Sequence, residues 1–133
     1  MSDFILPNLA GNPVRLSDYT GKTVLINSRA TWCPPCRAEM PELIEFYANH
    51  RDQDFTILAI NAGESAAEAG AFAAEMGVDF PVQLDTNFSI LEGLGINGYP
   101  TSVLVSPNGV VEKIKVGMFL PGELEKEIGP YLQ

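Results

Sequence analysis

The sequence of 133 residues is poor in metal-ligating side chains, in basic charge and in long apolar runs. It contains two cysteines and a single histidine, His50, too few for a structural zinc site, which usually takes four ligands. We therefore expect neither a metal nor another cofactor. Two cysteines also exclude a disulfide-rich scaffold. Eight basic residues against seventeen acidic ones give a formal charge of −9, which argues against binding to nucleic acid or to anionic lipid.

No segment approaches the roughly 18 consecutive apolar residues of a membrane-spanning helix. The first residues, MSDFILP, lack the basic start and apolar centre of a signal peptide. The protein is therefore either cytoplasmic, or an export or anchor segment precedes the sequence given. In that case the domain would lie in the periplasm or on the outer face of the cytoplasmic membrane, with its membrane tether outside these residues.

Strand-like and helix-like segments alternate along the chain, which predicts a single α/β domain over residues 1–133 with a central mixed sheet flanked by helices. Turn signals on both sides of a short strand-like segment, residues 14–16, predict an N-terminal β-hairpin. Ser65 as a cap and Gly77 as a stop predict an inserted helix over about 65–76. The other predicted strands are 23–28, 55–60, 81–84, 101–106 and 110–116, the other helices 37–48, 88–94 and 121–128, and the predicted core includes Phe72, Phe80 and Phe88.

Both cysteines lie in Trp32-Cys33-Pro34-Pro35-Cys36, between a predicted strand and a predicted helix. At a helix start the first sulfur lies near unpaired backbone N–H groups and the positive end of the helix dipole. This position lowers the thiol pKa below its free value of about 8.5 and favours the thiolate. We therefore expect Cys33 to attack a disulfide and Cys36 to resolve the mixed disulfide. The two prolines restrict the loop between the thiols, and Pro35 suits an early helical position.

Residues 30–41, ATWCPPCRAEMP, together with Gly98-Tyr99-Pro100-Thr101, resemble the thioredoxin superfamily, and more narrowly the TlpA/ResA-type thiol-disulfide oxidoreductases. The likeness covers nearly the whole chain. It implies a thioredoxin-like fold in an exported or membrane-tethered domain. It also implies disulfide-bearing protein substrates, notably apocytochromes c during haem attachment, and an upstream thiol donor of electrons. A monomer suffices for this chemistry.

The resemblance also assigns residues to substrate binding. It implies that Pro100 is cis and faces the cysteines, which would leave the backbone of Tyr99 free to pair with an extended substrate. Trp32 is either an aromatic docking surface beside the thiols or ordinary packing. Pro34 and Pro35 border the same loop.

Glu64 matches a glutamate that lies close to the active cysteines in ResA-like proteins. The resemblance therefore implies a catalytic residue that exchanges protons with the thiols, the alternative being an acid at a helix start. Asn27 occupies the position where thioredoxins place a buried acid. We therefore expect that proton relay to be absent and Glu64 to serve instead.

The pair Ser28-Arg29 departs from the family, which usually has Phe-Trp at this place. Arg29 either lies near Cys33, where it would stabilise the thiolate and make the disulfide more oxidising, or points to solvent.

Two other functions share some of these features. Thiol peroxidases have a related fold but need Thr-x-x-Cys, whereas Thr31 is only two residues before Cys33. A non-enzymatic metal-binding or chaperone module would need more soft ligands than Cys33 and Cys36 provide.

Overall fold

The computed structural model describes residues 1–132. Within these residues the chain forms seven strands and four helices, with short 3-10 segments at Leu16–Tyr19 and Gly129–Tyr131. The strands are β1 (Ile5–Pro7), β2 (Pro13–Arg15), β3 (Thr23–Arg29), β4 (Phe55–Ala62), β5 (Val82–Asp85), β6 (Thr101–Val105) and β7 (Val111–Val116). The helices are α1 (Pro34–His50), α2 (Ala66–Met76), α3 (Ser89–Gly93) and α4 (Glu123–Glu127).

Five strands form the central sheet in the order β5-β4-β3-β6-β7. Strands β3, β4 and β5 are parallel, whereas β6 runs antiparallel to both β3 and β7. Every residue of β3 and β4 is buried, as expected for parallel strands that are covered on both faces. The predicted mixed sheet is therefore confirmed, and β1 and β2 form the predicted N-terminal hairpin.

Two apolar cores lie on opposite faces of the sheet. One contains side chains of α1, α2 and α4, and the other contains the hairpin and α3. The hairpin is attached to the sheet edge because the side-chain amide of Gln83 donates to the carbonyl oxygens of Leu6 (3.3 Å) and Val14 (2.8 Å). Among the residues described, no helix is both long enough and apolar enough to cross a membrane.

The inserted helix α2 begins and ends where the sequence predicts. Ser65 is its N-cap, and its side chain accepts a hydrogen bond from the backbone N–H of Glu68, whose carboxylate reaches back to the Ser65 N–H. Gly77 ends it in the left-handed region, with φ of 73°.

Phe88 is a wrong core prediction, while Phe72 and Phe80 are confirmed as core residues. Phe88 is 38% exposed and has φ of 64° in the turn before α3. The left-handed backbone places its ring over Gly63, at the surface, instead of in the apolar layer below.

Candidate active site

The cysteines lie at the C-terminal end of the parallel strands, after the central strand β3. After Arg29 closes β3, residues 30–32 lead directly into α1. Ala30, Cys33 and Cys36 form a small buried cluster, against which the half-buried Tyr99 packs. The strand therefore delivers the thiol pair to the N-terminus of α1, and β6 begins beside it, after the Tyr99–Pro100 loop.

Cys33 is the N-cap residue of α1 and forms a disulfide with Cys36. The backbone N–H of Cys36 donates to the Sγ atom of Cys33 at 3.3 Å. Cys33 and Cys36 are 3% and 1% exposed. When the disulfide is reduced, this N–H group and the helix dipole stabilise negative charge on the Cys33 sulfur. The local geometry predicted for the pair is confirmed.

The loop before β6 lies across from Cys33. The Tyr99–Pro100 peptide bond is cis, as the resemblance implies, and the carbonyl oxygen of Tyr99 is 3.6 Å from the Cys33 sulfur. Trp32 is 64% exposed and meets the Tyr99 ring edge-on, with 6.0 Å between ring centroids. Burial, together with the charges of Asp85 and Glu92, raises the pKa of the Tyr99 hydroxyl. The structure therefore brings Trp32, Cys33 and Tyr99 together, and it leaves Pro34 and Pro35 exposed at the start of α1.

Glu64 contacts the segment that approaches the cysteines. Its carboxylate accepts hydrogen bonds from the Thr31 backbone N–H (2.9 Å), from the Thr31 hydroxyl and from the Asn61 side chain (2.9 Å). Burial acts to raise the pKa of this carboxyl group, but these hydrogen bonds and the charge of Arg29 outweigh it and lower the pKa. The carboxylate is thus ionised at neutral pH and ties the end of β4 to the residue two positions before Cys33.

Replacing Glu64 with glutamine is expected to destabilise the protein by about 1 kcal/mol at neutral pH, because hydrogen bonds to a charged acceptor are lost. A carboxyl group whose pKa is lowered by folding contributes stability above its unfolded pKa, and that contribution disappears as the pH falls through the folded value. Urea unfolding at several pH values below 6 should therefore show a steeper acid loss for the wild type than for Glu64→Gln. The exposed Glu112→Gln is the control and should behave as wild type. Equal acid losses in wild type and Glu64→Gln would contradict this role.

A second buried carboxylate, Glu39, was missed by the sequence analysis. Its oxygens accept hydrogen bonds from the Asn27 side chain (2.8 Å) and the Phe119 backbone N–H (2.9 Å), and Asn27 also donates to the Ser102 hydroxyl (3.0 Å). Burial raises the pKa of Glu39, although these hydrogen bonds and Lys115 oppose it. Strand β3 carries no acid at this position, but α1 supplies a buried one, Glu39, beside Asn27.

The sequence does carry a signal for Glu39. It lies three residues after Cys36, and the buried positions of α1 (36, 39, 40, 43 and 46) follow helical spacing. An acid on the buried face of a helix, one turn from a reactive cysteine, identifies a candidate proton-exchange group.

Arg29 does not reach solvent, so that alternative was wrong. Leu25, Asn27 and Arg29 alternate along β3 and face α1, and the Arg29 side chain is 0% exposed. Burial lowers the pKa of its guanidinium to about 10, with partial compensation from the charge of Glu64. The group is therefore charged at neutral pH.

Comparison with known proteins agrees with this geometry. Residues 1–114 match the sequence profile of the AhpC/TSA family. Thiol-disulfide oxidoreductase ResA from Geobacillus thermodenitrificans is 37% identical over 126 residues, which are 95% of this chain and 72% of that protein. ResA from Bacillus subtilis is 37% identical over 86% of this chain and 64% of its own length. A Chlorobium tepidum structure designated thiol:disulfide interchange protein DsbE has a TM-score of 0.91 at 33% identity, covering 99% of this chain and 94% of that one.

Proposed function

This chain belongs to the AhpC/TSA family, and from that premise we propose that it reduces disulfide bonds in partner proteins. It is a thiol-disulfide oxidoreductase of the ResA type with Cys33 and Cys36 as its redox pair. One observation carries the proposal: the Cys33 sulfur caps α1, accepts the Cys36 N–H and lies beside the Tyr99 carbonyl. Thiol exchange needs a stabilised thiolate beside a resolving thiol, and the arrangement supplies both.

The reaction begins with the pair in the dithiol form. The Cys33 thiolate attacks one sulfur of the partner disulfide, forms a mixed disulfide and releases the partner's other sulfur as a thiolate, which takes up a proton. Cys36 then loses its proton and attacks the Cys33 sulfur, which closes the Cys33–Cys36 disulfide and releases the second partner thiol. The partner gains two electrons and two protons, and the cysteine pair loses them. An upstream dithiol returns the pair to its reduced form by the same exchange.

We assign to Glu39 the acceptance of the Cys36 proton. It lies one turn after Cys36 on the same buried face of α1. Its raised pKa brings it closer to that of a thiol, which favours transfer in both directions. Glu64 acts in this scheme by holding Thr31 and the approach to Cys33. A direct proton exchange between Glu64 and the thiols is the alternative role.

Substrate binding is proposed at the surface formed by Trp32 and the Tyr99–Pro100 loop. The exposed Trp32 ring offers apolar area beside the disulfide. An extended partner segment would pair with the backbone at Tyr99, by strand addition, and pass over Pro34 and Pro35. The similarity to ResA proteins supports an apocytochrome c as the partner and a position outside the cytoplasm.

The test is catalysed reduction of insulin by dithiothreitol, together with equilibration of the cysteine pair in glutathione buffers. We expect accelerated insulin reduction and a reversible two-electron couple. Absence of a reversible couple in the wild type would refute the proposed function. Peroxide consumption without insulin reduction would indicate a thiol peroxidase, which the arrangement disfavours because Thr31 donates its hydroxyl to Glu64. Stoichiometric metal in protein purified without chelators would indicate the metal-binding alternative.

A further inference from the structure

The guanidinium of Arg29 is a buried charge with few hydrogen-bond partners. Its Nη1 atom lies 3.5 Å from the Met40 sulfur, and the group lies 5.4 Å and 5.8 Å from the ring centroids of Phe72 and Phe80. No atom of the described residues accepts a hydrogen bond from its Nε or Nη2. Replacing a buried charge by an apolar side chain of similar volume is often neutral or stabilising. The contacts with Met40 and the two rings offset only part of the cost of burying this charge.

Within residues 1–132, no carboxylate forms a direct ion pair with Arg29. Glu64 acts on it electrostatically, but the hydrogen bonds of that carboxylate go to Thr31 and Asn61. Glu39, on α1, accepts hydrogen bonds from the Asn27 side chain and from the backbone N–H of Phe119. Arg37 adds a second positive charge at 4.9 Å from the Phe72 ring, although Glu75 pairs with it at 2.8 Å. Arg29 therefore carries a buried positive charge that the described residues compensate only in part.

This charge lies close to the redox pair. The next residue, Ala30, packs directly against both cysteines, and the Cys33 N–H donates to its carbonyl oxygen at 3.2 Å. Met40, which touches the guanidinium, follows Cys36 by four residues, a rise of about 6 Å along the helix. Arg29, Met40 and both cysteines are at most 3% exposed, so solvent screens this charge only weakly and it acts over such a distance.

We propose that Arg29 sets the redox poise of the Cys33–Cys36 pair, because its buried positive charge stabilises the thiolate-bearing dithiol form over the neutral disulfide. This inference rests on the proposed function and deepens it. In the defining equilibrium, the protein disulfide and two glutathione molecules give the protein dithiol and one glutathione disulfide. Two electrons and two protons pass to the protein. Stabilising the dithiol side makes the pair a weaker reductant than the same fold with a neutral residue at this position.

The experiment compares wild type, Arg29→Met and Arg29→Gln in glutathione buffers at pH 7, with the Cys33 thiolate titrated by ultraviolet absorbance. Both variants remove the charge, one with an apolar and one with a polar side chain. We expect the glutathione equilibrium to move about tenfold toward the disulfide in each, which is about 30 mV more reducing for a two-electron couple. The Cys33 thiol should titrate at higher pH in both.

Met40→Leu is the matched control, since it alters packing against the same guanidinium without changing charge. It should lower the melting temperature without moving the equilibrium. An unchanged equilibrium in both Arg29 variants, or an equal shift in Met40→Leu, would overturn the inference. Either result still presupposes a reversible couple in the wild type. Failure of the proposed function would instead appear as the absence of any couple.

Discussion

Replacing Cys36 with serine is expected to leave the protein covalently joined to its substrate. Cys33 would still attack, but no second thiol would release the mixed disulfide, so turnover should fall by about 10³-fold or more. Incubation of reduced Cys36→Ser with oxidised insulin should yield a stable adduct, detected by intact mass and cleaved by dithiothreitol. Cys33 stays reactive in this variant because its sulfur lies at the N-terminus of α1 and accepts a hydrogen bond from the backbone N–H of residue 36. Serine at position 36 retains that N–H group.

Cys33→Ser is the matched control for the direction of attack. It removes the sulfur that accepts the N–H and leaves Cys36, which is 1% exposed, as the only thiol. We expect neither turnover nor adduct. If Cys33→Ser formed the adduct and Cys36→Ser did not, the roles of the two cysteines would be reversed.

Replacing Gly63 with alanine is expected to have the largest effect on stability among substitutions of exposed residues near the site. Gly63 has φ of 68°, and a Cβ atom there would lie 2.2 Å from Cζ of Phe88. The left-handed backbone costs about 1–2 kcal/mol for alanine, and the displaced ring adds about 1–3 kcal/mol. We expect a loss of about 2–5 kcal/mol in the free energy of unfolding, measured by urea denaturation of the oxidised protein.

Gly77→Ala separates the two causes, because Gly77 has φ of 73° but no heavy atom within 4 Å of an added Cβ. It should cost only the backbone share, about 1–2 kcal/mol. In a Phe88→Ala background, Gly63→Ala should fall to a similar cost. Equal losses for Gly63→Ala and Gly77→Ala in the wild-type background would show that the Phe88 ring moves aside freely.

Gly63→Ala also reports on the site, because Glu64 follows it and holds Thr31. Displacement of the backbone at position 63 should weaken the hydrogen bonds between Thr31 and Glu64 and slow insulin reduction. Phe88→Ala alone leaves the backbone of Gly63 in place and should retain the Glu64 contacts.

Much of the fold could be predicted because its signals are local. The Ser65 cap, the Gly77 stop and the turn signals of the N-terminal hairpin each act within a few residues. The redox pair is also local, since only two residues separate Cys33 from Cys36 and the pair opens a helix. By contrast, the place of Tyr99 opposite Cys33 came from family resemblance, because 66 positions of chain separate them.

The thiol pair, its helix and the alternation of strands and helices are all encoded in local sequence. The surroundings of the thiol pair, in contrast, depend on how distant segments pack. Burial of Arg29 without a carboxylate partner, the bond from Asn27 to Glu39 and the surface position of Phe88 depend on which elements pack together. A charged side chain has the same sequence signal in water and in a core. Its electrostatic effect depends on neighbours brought close by folding, which is why the role proposed for Arg29 required the tertiary structure.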